Sequence, residues 1–284
     1  MAVQQEPNGP GAPILDVRDL KMHFPVRKGL LKRIAGYVYA VDGVSFSIQP
    51  GETLGVVGES GSGKSTLLRY LLGLQRPDSG TIRMFGKDIA ALNASEWRAL
   101  RRKMGVSFQG GALFSSMTVG DNVCLPLREH THLDEKTIRI MSRMKLEVVN
   151  LAGFEHLMPA QLSGGMLKRA ALARAIVMDP SVLFFDEPSA GLDPVVAAEL
   201  DRLILRIRDA LRVSIVVVTH ELESAFAIAD RITVLDRGRI LMVGSVEEVK
   251  NSENQRVRSL LTRTSEEQPV DVEDYLCRLT RGVR

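Results

Sequence analysis

The 284-residue chain has little of what several protein classes require. Its two cysteines, Cys124 and Cys277, are too few and too far apart to suggest a disulfide scaffold or a metal-binding cluster. No apolar run is long enough to cross a bilayer, which takes about 18 residues or more. The formal net charge of +3 is too small to argue for nucleic-acid binding, so no nucleic-acid partner is expected. Residues 1–13 contain no apolar stretch, so we expect a disordered arm there and no signal peptide.

A glycine-rich segment gives the first positive signal. Residues 58–66 read GESGSGKST and match the phosphate-loop pattern G-x-x-x-x-G-K-[S/T] at every fixed position. An apolar stretch before it predicts a buried strand, and the residues after it predict a helix, which is the context that a phosphate loop requires. Glycines let successive backbone N–H groups turn toward one anion, Lys64 adds a full charge, and the Ser65 hydroxyl can hold Mg²⁺. The residues expected to bind the phosphates are Gly58, Ser60, Gly61, Ser62, Gly63, Lys64, Ser65 and Thr66.

Four further motifs follow the glycine-rich segment. They are Gln109 after an apolar stretch, LSGGM at 162–166 before a predicted helix, DEP at 186–188 after an apolar stretch, and His220 after the predicted strand 214–219. In this order, the motifs resemble those of the ATPase subunits of ABC transporters, over roughly residues 14–261. The resemblance implies an α/β fold, with a P-loop NTPase core, a mainly parallel sheet and an inserted helical subdomain. It also implies ATP and Mg²⁺ as cofactors.

Two neighbouring carboxylates, Asp186 and Glu187, stand at the end of a predicted buried strand. Acidic residues usually lie in solvated loops, but four apolar residues directly before this pair argue against that here. A carboxylate at such a strand end points into the crevice where open α/β sheets bind ligands, so Asp186 is placed to support Mg²⁺. The resemblance implies that Glu187 is the general base and that His220 contacts the γ-phosphate of ATP. It also implies that Gln109 joins Ser65 and Asp186 around the metal.

The signature at 162–166 predicts a second anion site. Ser163, Gly164 and Gly165 lie at a helix start, where backbone N–H groups are free to bind an anion. In the resembling family, two subunits pack head to tail, and each signature closes on the ATP that the other holds. The resemblance places Asp193 in the same shared site. Because the chain has one phosphate loop and one signature, a second copy of the chain is the expected partner.

An aromatic residue near the N-terminus is expected to stack on the adenine base. Phe24 is the first candidate, and Tyr37 and Tyr39 are alternatives. The stretch 25–36 carries several basic residues and is interpreted as an inserted basic loop. Four histidines show no strand-end context and are expected in ordinary surface or loop positions: His23, His130, His132 and His156.

The order of apolar stretches predicts how the chain is divided. Short apolar strands alternate with helical periodicity, which is typical of α/β proteins. We expect the nucleotide-binding core to comprise residues 14–108 and 180–261, with a helical subdomain at 109–179. Residues 262–284 form a predicted tail whose apolar positions at 272–279 indicate a short helix. That helix either packs on its own domain or docks on the neighbouring subunit.

Two parts of the chain resemble different transporters. Residues 39–60 look like the ATPases of oligopeptide and dipeptide importers, whereas the segment after Gln109 and the signature helix are similar to the Mla/Mce lipid-transport ATPases. The second resemblance has more weight, because that segment belongs to the subdomain that touches the membrane protein. The prediction is an ATPase subunit that drives lipid transport, with phospholipids as the expected cargo. The alternatives are a peptide importer ATPase or a soluble ABC protein of repair or translation, and the single compact motif set argues against the soluble class.

The same resemblance predicts the partners and the location. The expected partners are a second copy of the chain and integral membrane permease subunits, with an Mce-domain substrate-binding protein and a small regulatory subunit as further candidates. The expected location is the cytoplasmic face of the inner membrane, as a peripheral protein.

Overall fold

The computed structural model describes residues 11–28 and 33–262 of the chain. Most of the predicted N-terminal arm and the predicted tail helix at 272–279 therefore lie outside the described residues. The strands in the described ranges are β1 Leu15–Lys28, β2 Arg33–Ile48, β3 Thr53–Val57, β4 Ser79–Met84, β5 Lys87–Asp88, β6 Met104–Ser107, β7 Val182–Asp186, β8 Ser214–Thr219, β9 Arg231–Asp236 and β10 Arg239–Ser245. The α-helices in the same ranges are α1 Lys64–Leu71, α2 Ala94–Arg102, α3 Val119–His130, α4 Glu135–Val148, α5 Gly164–Ile176, α6 Pro194–Leu211, α7 Leu222–Ile228, α8 Val246–Lys250 and α9 Gln255–Thr262.

A six-stranded sheet forms the centre of the fold, in the order β10-β9-β3-β8-β7-β6. All its neighbouring strands run parallel except the β10–β9 pair. Strands β3 and β8 are buried along their whole length, because parallel strands covered on both faces read as continuous apolar runs. The predicted α/β fold with a mainly parallel sheet is confirmed. Parallel strands end at one edge, so the segments after β3, β6, β7 and β8 meet there.

A second sheet was not predicted. It has four strands in the order β2-β1-β4-β5, and its described pairs are antiparallel. The interpretation of 25–36 as an inserted loop is wrong, because β1 and β2 continue as a paired hairpin through Pro25–Tyr37 and Val26–Gly36. Phe24, Val26 and Tyr37 are exposed in this hairpin. The sequence of 25–36 lacks the alternating apolar pattern that marks a strand, so it gave no signal for this pairing.

Three helices, α3, α4 and α5, lie between β6 and β7 and pack on one another. Buried Val123, Leu127, Leu146 and Leu172 contribute to their shared core. The helical periodicity predicted for this part of the chain appears as these helices, while the subdomain limits at 109 and 179 stay a prediction. Within the ranges 11–28 and 33–262, no helix has both the length and the apolar character of a bilayer-spanning segment.

Candidate active site

A cavity of about 570 Å³ opens where the predicted site residues converge. It lies where the phosphate loop meets the ends of β6, β7 and β8, with the β1–β2 hairpin on one side. The predicted residues that line it are Phe24, Ser60, Gly61, Gly63, Lys64, Ser65, Thr66, Gln109, Glu187 and His220. Val38, Tyr39 and Ala40 of β2 complete the lining. The predicted phosphate ligands Gly58 and Ser62 do not line the cavity.

The phosphate loop is held by close backbone packing. Gly63 has a φ of +104°, and a Cβ there would lie 2.1 Å from the carbonyl oxygen of Ala40. The turn between β9 and β10 packs against the same place, because the Gly238 N–H donates to the Ser62 carbonyl at 2.9 Å and the Asp42 N–H donates to the Gly238 carbonyl at 2.8 Å. Both sheets thus contribute backbone to the support of the loop.

The Lys64 side chain forms hydrogen bonds to carbonyl groups of its own phosphate loop. Its Nζ donates to the carbonyl oxygens of Gly58 at 2.7 Å and Glu59 at 2.8 Å, and only 7% of the residue is exposed. Burial lowers the pKa of Lys64, while the charges of Glu187 and Asp186 act in the opposite direction. The ammonium therefore lies in the cavity wall with carboxylates nearby, where it can face an anionic ligand.

Glu187 is oriented by groups at the end of β8. One carboxylate oxygen accepts hydrogen bonds from the Thr219 hydroxyl at 2.9 Å and from the His220 N–H at 3.2 Å, and the other lies 2.9 Å from His220 Nδ1. The residue has a φ of +50°, which is uncommon outside glycine, and its N–H donates to the Val218 carbonyl at 2.8 Å. A carboxylate fixed in this way at a cavity wall can accept a proton from a water molecule in the cavity.

The predicted magnesium ligands fit the metal by the chemistry of their donor atoms. Ser65 and Gln109 line the cavity and offer hydroxyl and amide oxygens, which suit a hard cation. Asp186 adds a carboxylate beside them but does not line the cavity. Burial raises the pKa of Asp186, as does the charge of Glu187, whereas Arg69, Lys168 and Lys64 lower it. Oxygen donors of this kind suit an Mg²⁺ that also binds substrate phosphates. In the described part of the chain, no three His, Cys, Asp or Glu residues form a metal cluster.

The lining of the cavity distinguishes between the three aromatic candidates for the adenine base. Phe24 and Tyr39 line it, whereas Tyr37 does not. His23, which was expected in an ordinary surface or loop position, lies in β1, and its ring contacts the Tyr39 ring edge-on at a centroid distance of 4.5 Å. Its Nε2 is 3.1 Å from a carboxylate oxygen of Asp42. Sequence reasoning missed this contact because the pairing of β1 with β2 creates it.

The signature residues lie apart from the cavity of their own chain. Ser163 is the N-cap of α5 and its hydroxyl accepts from the Met166 N–H at 3.3 Å. Asp193 is the N-cap of α6 and accepts from the N–H groups of Val195 and Val196, both at 3.1 Å. Neither these two residues nor Gly164 and Gly165 line the cavity.

Side chains of the helical segment fix the loop after Gln109, and sequence reasoning assigned them no role. The Lys168 ammonium donates to the carbonyl oxygens of Gln109 and Glu187. Arg174 donates to the carbonyls of Gly111 at 2.9 Å and Ala112 at 2.8 Å. A charged residue on a helix usually indicates a solvated face, so the sequence offered no signal for either contact.

Comparison with known proteins agrees with this geometry. Residues 41–190 match the family model described as ABC transporter. The chain is 41% identical, over 79% of its length and 85% of the relative's, to the intermembrane phospholipid transport system ATP-binding protein MlaF of Haemophilus influenzae. It is 42% identical, over 82% of its length and 67% of the relative's, to the probable ribonucleotide transport ATP-binding protein mkl of Mycobacterium leprae.

A solved structure has the same fold. The dimeric, post-hydrolysis ATP-binding cassette MJ0796, bound to ADP and Pi, superposes with a TM-score of 0.73 at 28% identity, covering 82% of this chain and 98% of that one. The chain therefore belongs to the ABC transporter family and is one of its ATP-binding, ATP-hydrolysing subunits.

Proposed function

We propose that this ATPase drives phospholipid transport between membranes through a separate permease. The observation that carries the proposal is the similarity, over most of both chains, to MlaF, by its name the ATP-binding protein of an intermembrane phospholipid transport system. The segment after Gln109, which resembles the lipid-transport ATPases, supports it independently of the phosphate loop. The peptide-importer alternative rests on residues 39–60, which face the nucleotide side of the molecule.

In this proposal, each group of cavity residues has a different role in ATP binding or hydrolysis. Phe24 or Tyr39 stacks on the base, the loop N–H groups bind the phosphates, and Lys64 compensates their charge. Glu187 accepts the proton of the attacking water, oriented by Thr219 and His220. Ser65, Gln109 and Asp186 would hold Mg²⁺, which when bound neutralises phosphate charge.

The separation of the signature from the cavity supports a shared site. Ser163, Gly164, Gly165 and Asp193 would complete the cavity of a second copy packed head to tail. The dimeric structure of the cassette MJ0796 is a precedent for the pairing of two cassettes. Free N–H groups at the start of α5 suit a γ-phosphate presented by that partner.

The remaining partners follow from the proposed transport. An integral permease would receive the motion of the helical segment, and an Mce-domain protein and a small regulatory subunit are further candidates. The chain would then lie on the cytoplasmic face of the inner membrane, as a peripheral protein.

Purification from membranes tests the proposed cargo. The full chain, carrying an affinity tag, should bring down an integral permease with bound phospholipid, and this complex in one vesicle population should transfer labelled phospholipid to acceptor vesicles when ATP is added. The complex with Glu187→Gln is the control and should transfer none. Co-purification of a peptide-importer permease, or no ATP-dependent lipid transfer, would contradict the proposal.

A further inference from the structure

Lys168 brings a positive charge into the interior of the protein. It lies in the second turn of α5, and only 7% of the residue is exposed. Burying an ammonium group is costly unless hydrogen bonds replace its water. Here the replacements are two backbone carbonyl groups, those of Gln109 and of Glu187, the second at 3.0 Å from Nζ.

The two carbonyl groups belong to neighbouring strand ends. Gln109 follows β6 and Glu187 follows β7, and these strands are adjacent and parallel. Both residues also line the active-site cavity. A single ammonium that binds both carbonyls therefore fixes the spacing between two neighbouring residues of the cavity wall.

The peptide groups around Glu187 depend on such restraints. The backbone φ of +50° is a sparsely populated conformation, which persists when neighbouring contacts determine it. The Glu187 N–H is bound by the Val218 carbonyl at 2.8 Å. Lys168 supplies the matching contact on the carbonyl side. Burial lowers the pKa of Lys168, whereas the charges of Glu187, Asp186 and Glu221 act in the opposite direction.

We propose that Lys168 is a positioning residue for ATP hydrolysis, acting through the carbonyl groups of Gln109 and Glu187. It holds the general base at its working distance from the Gln109 side of the cavity. This inference rests on the proposed role of Glu187. It adds a connection between the signature helix and the catalytic residues of the same chain.

Two substitutions at Lys168 separate its hydrogen bonds from its bulk. Lys168→Met keeps the length and the apolar stem but has no donor, whereas Lys168→Gln keeps a neutral N–H donor. We expect Lys168→Met to lower kcat by about 10²-fold, the scale of loss from a misplacement of about 1 Å, and to leave the affinity for ATP unchanged. Lys168→Gln should recover part of that loss. Arg169→Met is the matched control, because Arg169 pairs with Glu199 on α6 at 2.7 Å and should show wild-type turnover.

A double variant tests whether Lys168 acts through Glu187. In single-turnover measurements, Lys168→Met should cause no further loss when Glu187 is already replaced by Gln. If Lys168→Met lowered the rate in the Glu187→Gln background as much as it does in the wild type, the inference would be overturned. It would also be overturned if Lys168→Met lost affinity for ATP and turnover equally, or if Lys168→Gln were as slow as Lys168→Met. If Lys168→Met kept wild-type turnover while Glu187→Gln was inactive, the positioning role of Lys168 would be overturned and the general base would stand. Normal turnover of Glu187→Gln alone would instead remove the proposed general base.

Discussion

Lys64 shows how a single side chain can be supported before any ligand arrives. Its ammonium is bound by two carbonyls of its own loop, so the charge is already positioned at the cavity wall. Preorganised charge of this kind needs no reorganisation when the phosphate binds or when charge develops on it. The same contacts explain why the residue is tolerated at 7% exposure.

We expect Lys64→Ala to abolish nucleotide binding or turnover. The substitution removes the cation that the loop holds against the phosphates. Equilibrium binding of a fluorescent ATP analogue, together with phosphate release, measures both quantities. Lys87→Ala, which removes an exposed lysine of β5, should behave as the wild type. Wild-type hydrolysis by Lys64→Ala would refute the assignment of this loop.

Residues whose chemistry is fixed by a local motif could be predicted from the sequence. The phosphate loop follows from its motif and context, and the family resemblance identified Gln109, Glu187 and His220. These three residues and most of the loop line one cavity. Their roles toward ATP stay predictions. Lys168 could not be predicted, because its partners are 59 and 19 positions away and are backbone atoms, which leave no trace in the pattern of side chains.

At the scale of elements, a buried asparagine at the start of α3 joins the helix to the loop before it. The Asn122 amide accepts from the Phe114 N–H at 2.7 Å and donates to the carbonyls of Phe114, Met117 and Thr118. The side chain is fully buried. Together with the contacts of Lys168 and Arg174, these bonds restrain the segment 109–118 along most of its length.

Asn122→Ala should destabilise the protein. Each buried polar group left without a partner costs about 1–3 kcal/mol, so the free energy of unfolding should fall by at least that much. Urea denaturation measures the change. Ser115→Ala, in the same loop but exposed, is the control and should stay within about 0.5 kcal/mol of the wild type. Equal stability of the two variants would mean that the loop is held by other contacts.

The N-terminus of α5 gives a second test at this scale. Ser163→Arg should leave ATP binding by a single subunit intact, since Ser163 does not line the cavity of its own chain, yet stop hydrolysis by blocking a partner's γ-phosphate. Affinity and turnover are measured on one preparation. Ser163→Ala controls for the lost helix cap, which is worth about 1 kcal/mol. An equal loss of affinity and turnover would show that the signature does not act on the partner's site.

Apolar elements were easier to predict than exposed ones. The predicted strands at 53–57 and 214–219 coincide with β3 and β8, because full burial demands continuous apolar runs. The antiparallel sheet and the extended β1–β2 hairpin were missed. Their register depends on pairing between distant segments, and the basic residues at 27–33 resemble those of a loop in the sequence.

For the whole molecule, trapping ATP should reveal the shared site. Glu187→Gln keeps the size of the side chain and can still accept from Thr219, but it cannot take the proton of water, so turnover should fall by about 10²–10⁴-fold. Bound ATP would then hold two copies together. Size-exclusion chromatography with Mg-ATP should show a dimer, and Glu187→Gln combined with Ser163→Arg should remain monomeric. Near-normal turnover of Glu187→Gln, with no change in size on adding Mg-ATP, would contradict both the assignment of Glu187 as general base and the ATP-dependent dimer.

The contact of Gly238 with the phosphate loop has a consequence for how this chain tolerates mutation. A Cβ on Gly238 would lie 2.5 Å from the Tyr39 carbonyl oxygen, almost as close as a Cβ on Gly63 would lie to that of Ala40. Gly238 does not line the cavity, although it is buried in the turn between β9 and β10. A saturation-mutagenesis survey would therefore find it as intolerant as the phosphate-loop glycine. Mutational tolerance alone would therefore classify Gly238, which only supports the phosphate loop, as a nucleotide-binding residue.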